Sequence, residues 1–351
     1  MKKIVVIGAG IIGTTLAWRL SRAGADVTVI DRGLPAGLAS GRSFGWINAT
    51  YHHDAHHFRL RAEGMAAWHR LEAELGEGLV NWSGTLWWEE QGEEFDRVAA
   101  ELRELGYPVE ELGRDRVARM EPAIVPPERA LRLPSEGAAD PARVVTRLSQ
   151  GLRVISGLEV QAITERGGRV TGLATAEGAM EADHVVLAGG TGAPALAEPL
   201  GVALPMLRRP GVLMRTAPAT PRLSHLLVTP AMELRQLPTG ALLAPTAASH
   251  QSDDSEEVDP PAQMADRALT RLREVLPGAP GWDRATLAWR PVPGDGLPVA
   301  GAAGPEGLTL AVMHSGVTLA PVMAELLAHE ILREEPAPML APYRPGRFAA
   351  A

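Results

Sequence analysis

The chain has 351 residues, of which 46% are apolar and 22% are charged, and its formal net charge is −8. This balance is typical of a folded globular protein and unlike that of a disordered or fibrous chain. Because the chain is acidic and has no long basic block, nucleic acid and acidic membrane surfaces are poor partners for it.

The chain contains no cysteine. Disulfides, thiolate metal sites, cysteine-ligated iron–sulfur clusters and a cysteinyl link to a flavin are therefore excluded. The N-terminal segment resembles a signal peptide, but Gly8, Gly10, Gly13 and Arg19 interrupt its apolar run and no cleavage site follows. No other run approaches the ~20 apolar residues of a membrane span. We therefore predict a cytoplasmic protein without a membrane span.

The first 31 residues have the pattern of a strand, a helix and a second strand. Residues 4–7 form a continuous apolar run rich in β-branched residues, as expected for a parallel strand buried on both faces. Residues 11–23 carry apolar side chains at helical spacing, and Gly24 is a suitable C-cap. Residues 27–30 form a second buried strand, which ends at Asp31.

Beyond this unit, composition and periodicity predict a series of further elements, and no internal repeat is present. The predicted helices are residues 57–75, 93–105, 140–148, 264–276 and 319–332. The predicted strands are residues 82–88, 152–156, 160–164, 169–175, 184–188, 207–215, 242–245 and 307–312. Segments predicted to lack regular structure are residues 33–45, the proline-rich residues 122–134, the acidic surface loop 249–261, and a rigid turn at residues 289–301.

The motif Gly8-Ala9-Gly10-Ile11-Ile12-Gly13 lies between the first predicted strand and helix, the position that it has in dinucleotide-binding folds. Gly8 permits a tight turn, Gly10 lets a pyrophosphate approach the backbone, and Gly13 lets the helix and strand pack closely. The helix N-terminus offers unpaired amides to the phosphates. Asp31 is placed to accept hydrogen bonds from the hydroxyls of the adenosine ribose. A carboxylate at this position also repels a 2′-phosphate and therefore disfavours NADP. The sequence predicts a dinucleotide site.

Four later segments bear on whether the dinucleotide is FAD or NAD. The loop 39–46 contains hydroxyls, glycines and Arg42, which suit a pyrophosphate and also suit an ordinary surface loop. Residues 183–192 run from a buried strand into glycines. Residues 289–301 contain the buried-looking Arg290. Residues 314–321 place a glycine loop before the last helix, whose first amides suit negative charge on the N1–C2=O2 edge of a reduced flavin.

In this order, the segments and the N-terminal motif resemble the D-amino-acid-oxidase superfamily of FAD-dependent oxidoreductases, in particular its glycine- and sarcosine-oxidase branches. The resemblance implies an α/β fold with a discontinuous Rossmann-type FAD-binding domain and a substrate domain built on an antiparallel sheet with helices. The FAD-binding parts would be residues 1–82, 139–203 and 287–351, and the substrate-domain parts would be residues 83–138 and 204–286. It also implies non-covalent FAD.

The resemblance further implies which residues contact the cofactor. Those expected to hold the adenosine and diphosphate are Gly8, Gly10, Ile11, Ile12, Gly13, Asp31, Arg32, Ser40, Arg42 and Ser43. Those expected at the adenine, the middle of the cofactor and the pyrimidine end of the flavin are Val160, Gly189, Gly190, Gly316, Val317, Thr318 and Leu319.

Two residues are candidates for the chemistry. By resemblance, Arg290 would bind a substrate carboxylate through a bidentate, charge-assisted clamp, and the alternative is that it caps its loop through Asp295. His314 would tune the flavin potential or accept a proton, and the alternative is a structural histidine. The substrate α-hydrogen would leave as a hydride for flavin N5, giving an imine, so that no strong base is required.

Other polar residues receive a different interpretation. The spacing of His52, His53, His56 and His57 permits metal ligands on one helix face, but no companion carboxylates are evident, so surface or pocket-lining histidines are favoured and no metal is predicted. Residues 233 and 235, a glutamate and an arginine on a candidate sheet strand, are candidates to line the pocket, but surface positions are favoured.

Three functional hypotheses follow. The first is an FAD-dependent oxidase or dehydrogenase of a D-amino acid, glycine or an N-substituted amino acid, with O2 or an electron carrier as acceptor. The second is an NAD-dependent dehydrogenase, which leaves the C-terminal glycine loop without a role. The third is a flavin-binding subunit that is inactive without a partner. The substrate, its stereochemistry and the oligomeric state stay open.

Overall fold

The computed structural model describes residues 2–247 and 256–349. The strands of the described part are β1 (Lys3–Ile7), β2 (Asp26–Asp31), β3 (Trp46–Ile47), β4 (Val80–Asn81), β5 (Thr85–Trp87), β6 (Glu110–Gly113), β7 (Arg129–Leu133), β8 (Gly137–Ala139), β9 (Arg153–Ser156), β10 (Val160–Arg166), β11 (Arg169–Thr175), β12 (Gly178–Glu181), β13 (His184–Leu187), β14 (Met206–Pro218), β15 (Leu226–Val228), β16 (Glu233–Gln236), β17 (Ala241–Pro245), β18 (Trp282–Pro293), β19 (Val299–Ala302) and β20 (Leu308–Val312). The α-helices are α1 (Ile11–Arg22), α2 (Ala55–Leu75), α3 (Gly92–Glu104), α4 (Arg114–Met120), α5 (Pro141–Leu148), α6 (Ala193–Ala197), α7 (Pro261–Val275) and α8 (Gly316–Arg333).

A six-stranded sheet has the order β19-β20-β13-β1-β2-β9. Neighbouring strands within this sheet are parallel, except that β19 at the edge pairs antiparallel with β20. The central strands are apolar and buried, as a parallel sheet covered on both faces requires. Helices α1 and α8 pack together against one face of this sheet. The other face packs against the three-stranded antiparallel sheet β10-β11-β12 and against α6.

An eight-stranded sheet has the order β18-β14-β17-β16-β15-β5-β7-β6. Its neighbours are antiparallel except β5 and β15. Helix α7 covers one face through a core of apolar residues. The α/β prediction, with one largely parallel and one largely antiparallel sheet, is confirmed. The predicted domain boundaries stay a prediction, and β18 crosses the one at residue 287.

Two predictions about local structure were wrong. Residues 122–134 were expected to be irregular, but they contain β7, which pairs with β5 and β6. The first part of the predicted turn at 289–301 is instead the end of β18, which pairs along its length with β14. In both segments prolines suggested a turn, whereas the long-range pairing available in the sheet decided the conformation. The predicted loop 249–261 lies partly outside the described residues.

Helices α2 and α8 approach each other at Gly64. A Cβ atom built on Gly64 would lie 2.6 Å from the carbonyl oxygen of Thr318, which belongs to the first turn of α8. A methyl group there would have to push the two helices apart. Since residues from both helices also line the cavity described below, this contact sets the geometry of one of its ends.

We predict that Gly64→Ala lowers the free energy of unfolding by about 1–3 kcal/mol, the usual cost of overpacking. Higher helix propensity would favour alanine by about 1 kcal/mol, but the clash opposes it. Urea unfolding followed by circular dichroism measures the effect. Gly113→Ala is the control, because a Cβ there meets no atom within 4 Å. Unchanged or increased stability of Gly64→Ala would show that the helices do not need this close contact.

Candidate active site

A cavity of about 1270 Å³ lies between the parallel sheet and one face of the eight-stranded sheet. This volume exceeds the roughly 300–1,000 Å³ typical of pockets for drug-sized ligands. Its walls come from loops at the carboxyl ends of β1, β2 and β13, from the start of α8, and from β14, β16 and β18. The ends of parallel strands are the usual place for a nucleotide in such sheets. The cavity is therefore large enough for a dinucleotide together with a small substrate.

The glycine motif at one end of the cavity is built so that side chains are excluded. Gly8 has φ +109°, and a Cβ atom on it would lie 2.4 Å from the carbonyl oxygen of Ala188. A Cβ on Gly13 would lie 2.0 Å from the carbonyl oxygen of Gly8, so α1 and β1 make backbone contact. A Cβ on Gly10 would lie 3.1 Å from Ser40 Oγ. The motif forms a cradle at the N-terminus of α1 that a Cβ would fill.

Polar groups around this cradle are held by the backbone. Asp31 accepts hydrogen bonds from the amides of Ala9 and Gly33, both at 2.7 Å. Ser40 Oγ accepts one from the amide of Ile11 at 3.0 Å. The carboxylate and the hydroxyl therefore fix the loop around the start of α1, which is the donor-rich surface that a diphosphate needs.

The remaining residues predicted around the cofactor lie mostly in the same cavity. The predicted residues that line it are Gly8, Gly10, Ile11, Ile12, Asp31, Arg32, Ser40, Arg42, Ser43, Val160, Gly189, Gly190, Gly316, Val317 and Thr318. Gly13 and Leu319 do not line it: Gly13 contributes packing, and the Leu319 side chain is buried in the core. Arg42 donates to the carbonyl oxygen of Leu287 at 2.9 Å, and Arg32 is largely exposed, 3.7 Å from Glu159.

The turn before α8 forms a further part of the cavity wall next to α1, since a Cβ on Gly316 would lie 3.5 Å from Ile12 Cγ1. Ser315, the N-cap residue, has φ +56°, an uncommon conformation for a residue other than glycine. Trp68 donates to the carbonyl oxygen of Val317 at 2.9 Å, and Thr318 Oγ1 donates to that of Trp46 at 3.3 Å. His314 also lines the cavity, with Nδ1 3.5 Å from Ser315 Oγ. These contacts present the first turn of α8 to the cavity.

The comparisons with known proteins agree with this geometry. Residues 3–330 match the family described as DAO, FAD dependent oxidoreductase. The chain belongs to this family. It is 27% identical to the glycine oxidase of Pseudomonas aeruginosa, over 98% of this chain and 99% of that protein. It is 26% identical to the D-amino acid dehydrogenase of Rhodopseudomonas palustris, over 95% of each. The crystal structure of the glycine oxidase from Geobacillus kaustophilus shares the fold, with a TM-score of 0.88, 22% identity and full coverage of both chains.

This DAO-family protein is an FAD-dependent oxidoreductase, so the alternative of an NAD-dependent dehydrogenase is not retained. The cradle at Gly8 and Gly10, the amides of α1 and the size of the cavity fit the cofactor. No cysteine is present to make a covalent cysteinyl link. Within the described residues, no helix is both long enough and apolar enough to cross a membrane.

Arg290 lies on β18, on the face of the eight-stranded sheet that lines the cavity. Its side chain passes over Gly211 of β14, where a Cβ would lie 3.5 Å from Arg290 Cδ, and Nη2 donates to the carbonyl oxygen of Pro210 at 3.4 Å. Asp295 instead accepts hydrogen bonds from Arg347, at 2.7 and 3.0 Å. Arg347 is therefore a bidentate partner of Asp295, and the carboxylate-binding role of Arg290 stays a prediction.

The DAO-family site also contains a hydrogen-bonded pair, Tyr51 and Glu89, that the sequence pattern did not indicate. Tyr51 lines the cavity, donates a hydrogen bond to Glu89 and accepts one from Trp87 Nε1 at 3.3 Å. Burial and the neighbouring Glu89 and Glu233 raise the pKa of Tyr51 well above its usual value, so the phenol stays protonated. Glu233 is itself buried and lines the cavity.

The surface interpretation of residues 233 and 235 was wrong. Glu233 is 6% exposed and Arg235 is 8% exposed. Both lie on β16, an inner strand of the eight-stranded sheet. A short strand with charged residues at alternate positions has the sequence pattern of an exposed edge. Its position between two other strands could be known only from the tertiary pairing.

The histidine cluster has structural contacts. His52 lies 3.1 Å from the carbonyl oxygen of Ala49 and 3.2 Å from Glu101. His57 Nδ1 accepts a hydrogen bond from the amide of His53 at 3.2 Å. In the described part of the chain, no group of three or more histidine, aspartate and glutamate side chains could hold a metal ion.

Burial lowers the pKa of His57 to about 3. Because this lies below the value of an unfolded histidine, the unfolded state binds the additional proton, and stability falls as the pH drops from about 6.5 towards 3. We predict that His57→Asn, which retains an acceptor for the His53 amide, reduces this loss by up to ~1.4 kcal/mol per pH unit.

Urea unfolding at several pH values between 4.5 and 7 measures this slope. His56→Asn is the matched control, because His56 is exposed on the adjacent position of α2. Equal pH slopes for His57→Asn and the wild type would contradict the prediction.

Proposed function

We propose that this enzyme oxidises the C–N bond of a small amino acid, a D-amino acid, glycine or an N-substituted amino acid, and releases an imine. Arg290 on the cavity wall is the observation that carries the proposal. The half-buried guanidinium of Arg290 is suited to a carboxylate, which such a group binds through two parallel charge-assisted hydrogen bonds. The glycine oxidase and D-amino acid dehydrogenase among the relatives support the same substrate class.

The residues predicted around FAD have complementary tasks in this proposal. The amides at the start of α1, with Ser40 and Ser43, hold the diphosphate, and Asp31 holds the adenosine ribose. Gly189, Gly190 and the backbone at Val160 border the nucleotide. The first turn of α8, from Gly316 to Thr318, meets the pyrimidine end of the flavin, and Leu319 anchors this turn in the core. Arg32 and Arg42 add positive charge at the diphosphate end.

The protein contributes orientation and exclusion of water to the reaction. FAD, when bound, would supply the two-electron acceptor for the hydride that leaves the substrate α-carbon. Arg290 fixes the carboxylate, and the aliphatic wall formed by Leu213 and Ala288 keeps the reacting end dry. Tyr51 is held by Glu89 and Trp87 as a neutral hydrogen-bonding group. His314 is the titratable side chain beside the α8 turn, and we assign it the tuning of the site or the acceptance of a proton.

We predict that Arg290→Ala raises KM for carboxylate substrates by about 10- to 100-fold, the range expected from losing a hydrogen-bonded charge pair, with a smaller effect on kcat. Steady-state kinetics measures both constants. Arg284→Ala on the same strand is the control, because Arg284 is exposed and does not line the cavity. An unchanged KM for Arg290→Ala would rule out the carboxylate clamp.

The substrate and the electron acceptor are tested by anaerobic absorption spectra. We expect the flavin absorption to bleach with one member of a panel of D-amino acids, glycine, sarcosine, proline derivatives and opines. Rapid recovery of the spectrum in air would identify an oxidase, and recovery only with an artificial acceptor would identify a dehydrogenase. A flavin spectrum that no compound bleaches would instead support the alternative of a subunit that needs a partner.

We also propose a cytoplasmic location, which the absence of cysteine suits.

A further inference from the structure

A buried arginine lies at the α8 end of the cavity. Arg61 belongs to α2, is 3% exposed and lines the cavity together with Ser315 and Asn48. Its Nη1 donates to Ser315 Oγ at 2.5 Å, and its Nη2 donates to Asn48 Oδ1 at 2.6 Å. The side chain therefore connects α2, the loop after β3 and the N-cap of α8.

The positive charge of Arg61 is not paired directly with a carboxylate. Among residues 2–247 and 256–349, its hydrogen-bond acceptors are uncharged, and its buried Nε has no hydrogen-bond partner. Burial lowers the pKa of Arg61 to about 10 although the nearby Glu136 favours its charge, so the guanidinium is still charged near neutral pH. A buried charge without a bonded counter-ion is unfavourable. Neutral side chains could make the same two links, so the links alone do not account for an arginine.

A second source of positive potential lies at the same end of the cavity. Helix α8 begins at Gly316, and Ser315 makes no side-chain capping bond to its first amides. Gly316, Val317 and Thr318 line the cavity, so the unpaired amides of a long helix lie beside the guanidinium. Arg61 also holds Ser315 in its left-handed conformation. A cation and a helix N-terminus together form a site for an anionic group.

We propose that Arg61 stabilises the negative charge that FAD carries after reduction, by its own charge and by positioning the Ser315 turn at the start of α8. In the proposed binding mode the start of α1 holds the diphosphate and the first turn of α8 meets the pyrimidine end of the flavin, so the anionic group beside Arg61 is the pyrimidine edge of the reduced flavin. Arg61 acts here as a positioning and electrostatic residue. The proposal rests on FAD as the cofactor and does not depend on which amino acid is oxidised.

The test compares the two-electron reduction potential of bound FAD in wild type, Arg61→Met and Arg61→Lys, with no substrate present. Methionine removes the charge and approximately keeps the volume, whereas lysine keeps the charge. We expect Arg61→Met to weaken the binding of reduced relative to oxidised FAD at least tenfold, which lowers the potential by ~30 mV for a two-electron couple. We expect Arg61→Lys to keep most of the wild-type potential.

Arg235→Met is the matched control. Arg235 is likewise buried, is bonded to the carbonyl oxygen of Ala139, and does not line the cavity. We expect its loss to reduce stability and leave the potential of bound FAD unchanged. A wild-type potential in Arg61→Met would overturn the proposal. So would an equal loss in Arg61→Met and Arg61→Lys, because the hydrogen-bonded links would then be the cause.

A second variant covers the case in which Arg61→Met does not fold or retain FAD. Asn48→Asp is nearly isosteric and places a carboxylate on Arg61 Nη2, which neutralises the guanidinium without removing its links. We expect this variant to bind oxidised FAD and to have a potential lower than that of the wild type by a similar amount. A folded, FAD-loaded Asn48→Asp with the wild-type potential would contradict the proposal.

Discussion

The backbone contact between α1 and β1 is the constraint on which the rest of the site depends. Gly13 lies so close to Gly8 that a Cβ would be 2.0 Å from its carbonyl oxygen. This contact brings the start of α1 over the end of the parallel sheet, where Asp31 and Ser40 can bond to the amides of the turn. Any larger side chain would move the helix away from the strand, and the phosphate-binding surface would be lost.

A second helix N-terminus lines the same cavity. Helix α8 reaches this position because it packs against α1 on one side and against Gly64 of α2 on the other. In the proposed binding mode, the diphosphate would meet the start of α1 and the reduced flavin would meet the start of α8, each with the positive end of a helix dipole. Arg61 would add a full charge beside the start of α8. The two glycine contacts, at Gly13 and at Gly64, hold these two helix starts at the cavity.

The eight-stranded sheet supplies the substrate side of the cavity. Residues of one face alternate with residues that face the core under α7, so Gly211, Leu213 and Arg290 reach the cavity from neighbouring strands. Gly211 leaves space for the arginine side chain, and the Pro210 carbonyl orients it. The same face carries Glu233 near Tyr51. If the proposed function is correct, specificity among amino acids would depend on side chains presented by this sheet.

The sequence by itself determined the nucleotide end of this protein. The strand, the glycines, the helix and Asp31 lie within 31 consecutive residues, and local backbone geometry fixes how such a unit folds. The tertiary structure decided the rest of the cavity, which is built from residues far apart in the chain. Arg61 and Ser315 are 254 positions apart, and Glu233 and Tyr51 resemble ordinary surface residues until the strands pair around them. Burial brings those side chains to the cavity, and burial is a property of long-range packing that local periodicity does not encode.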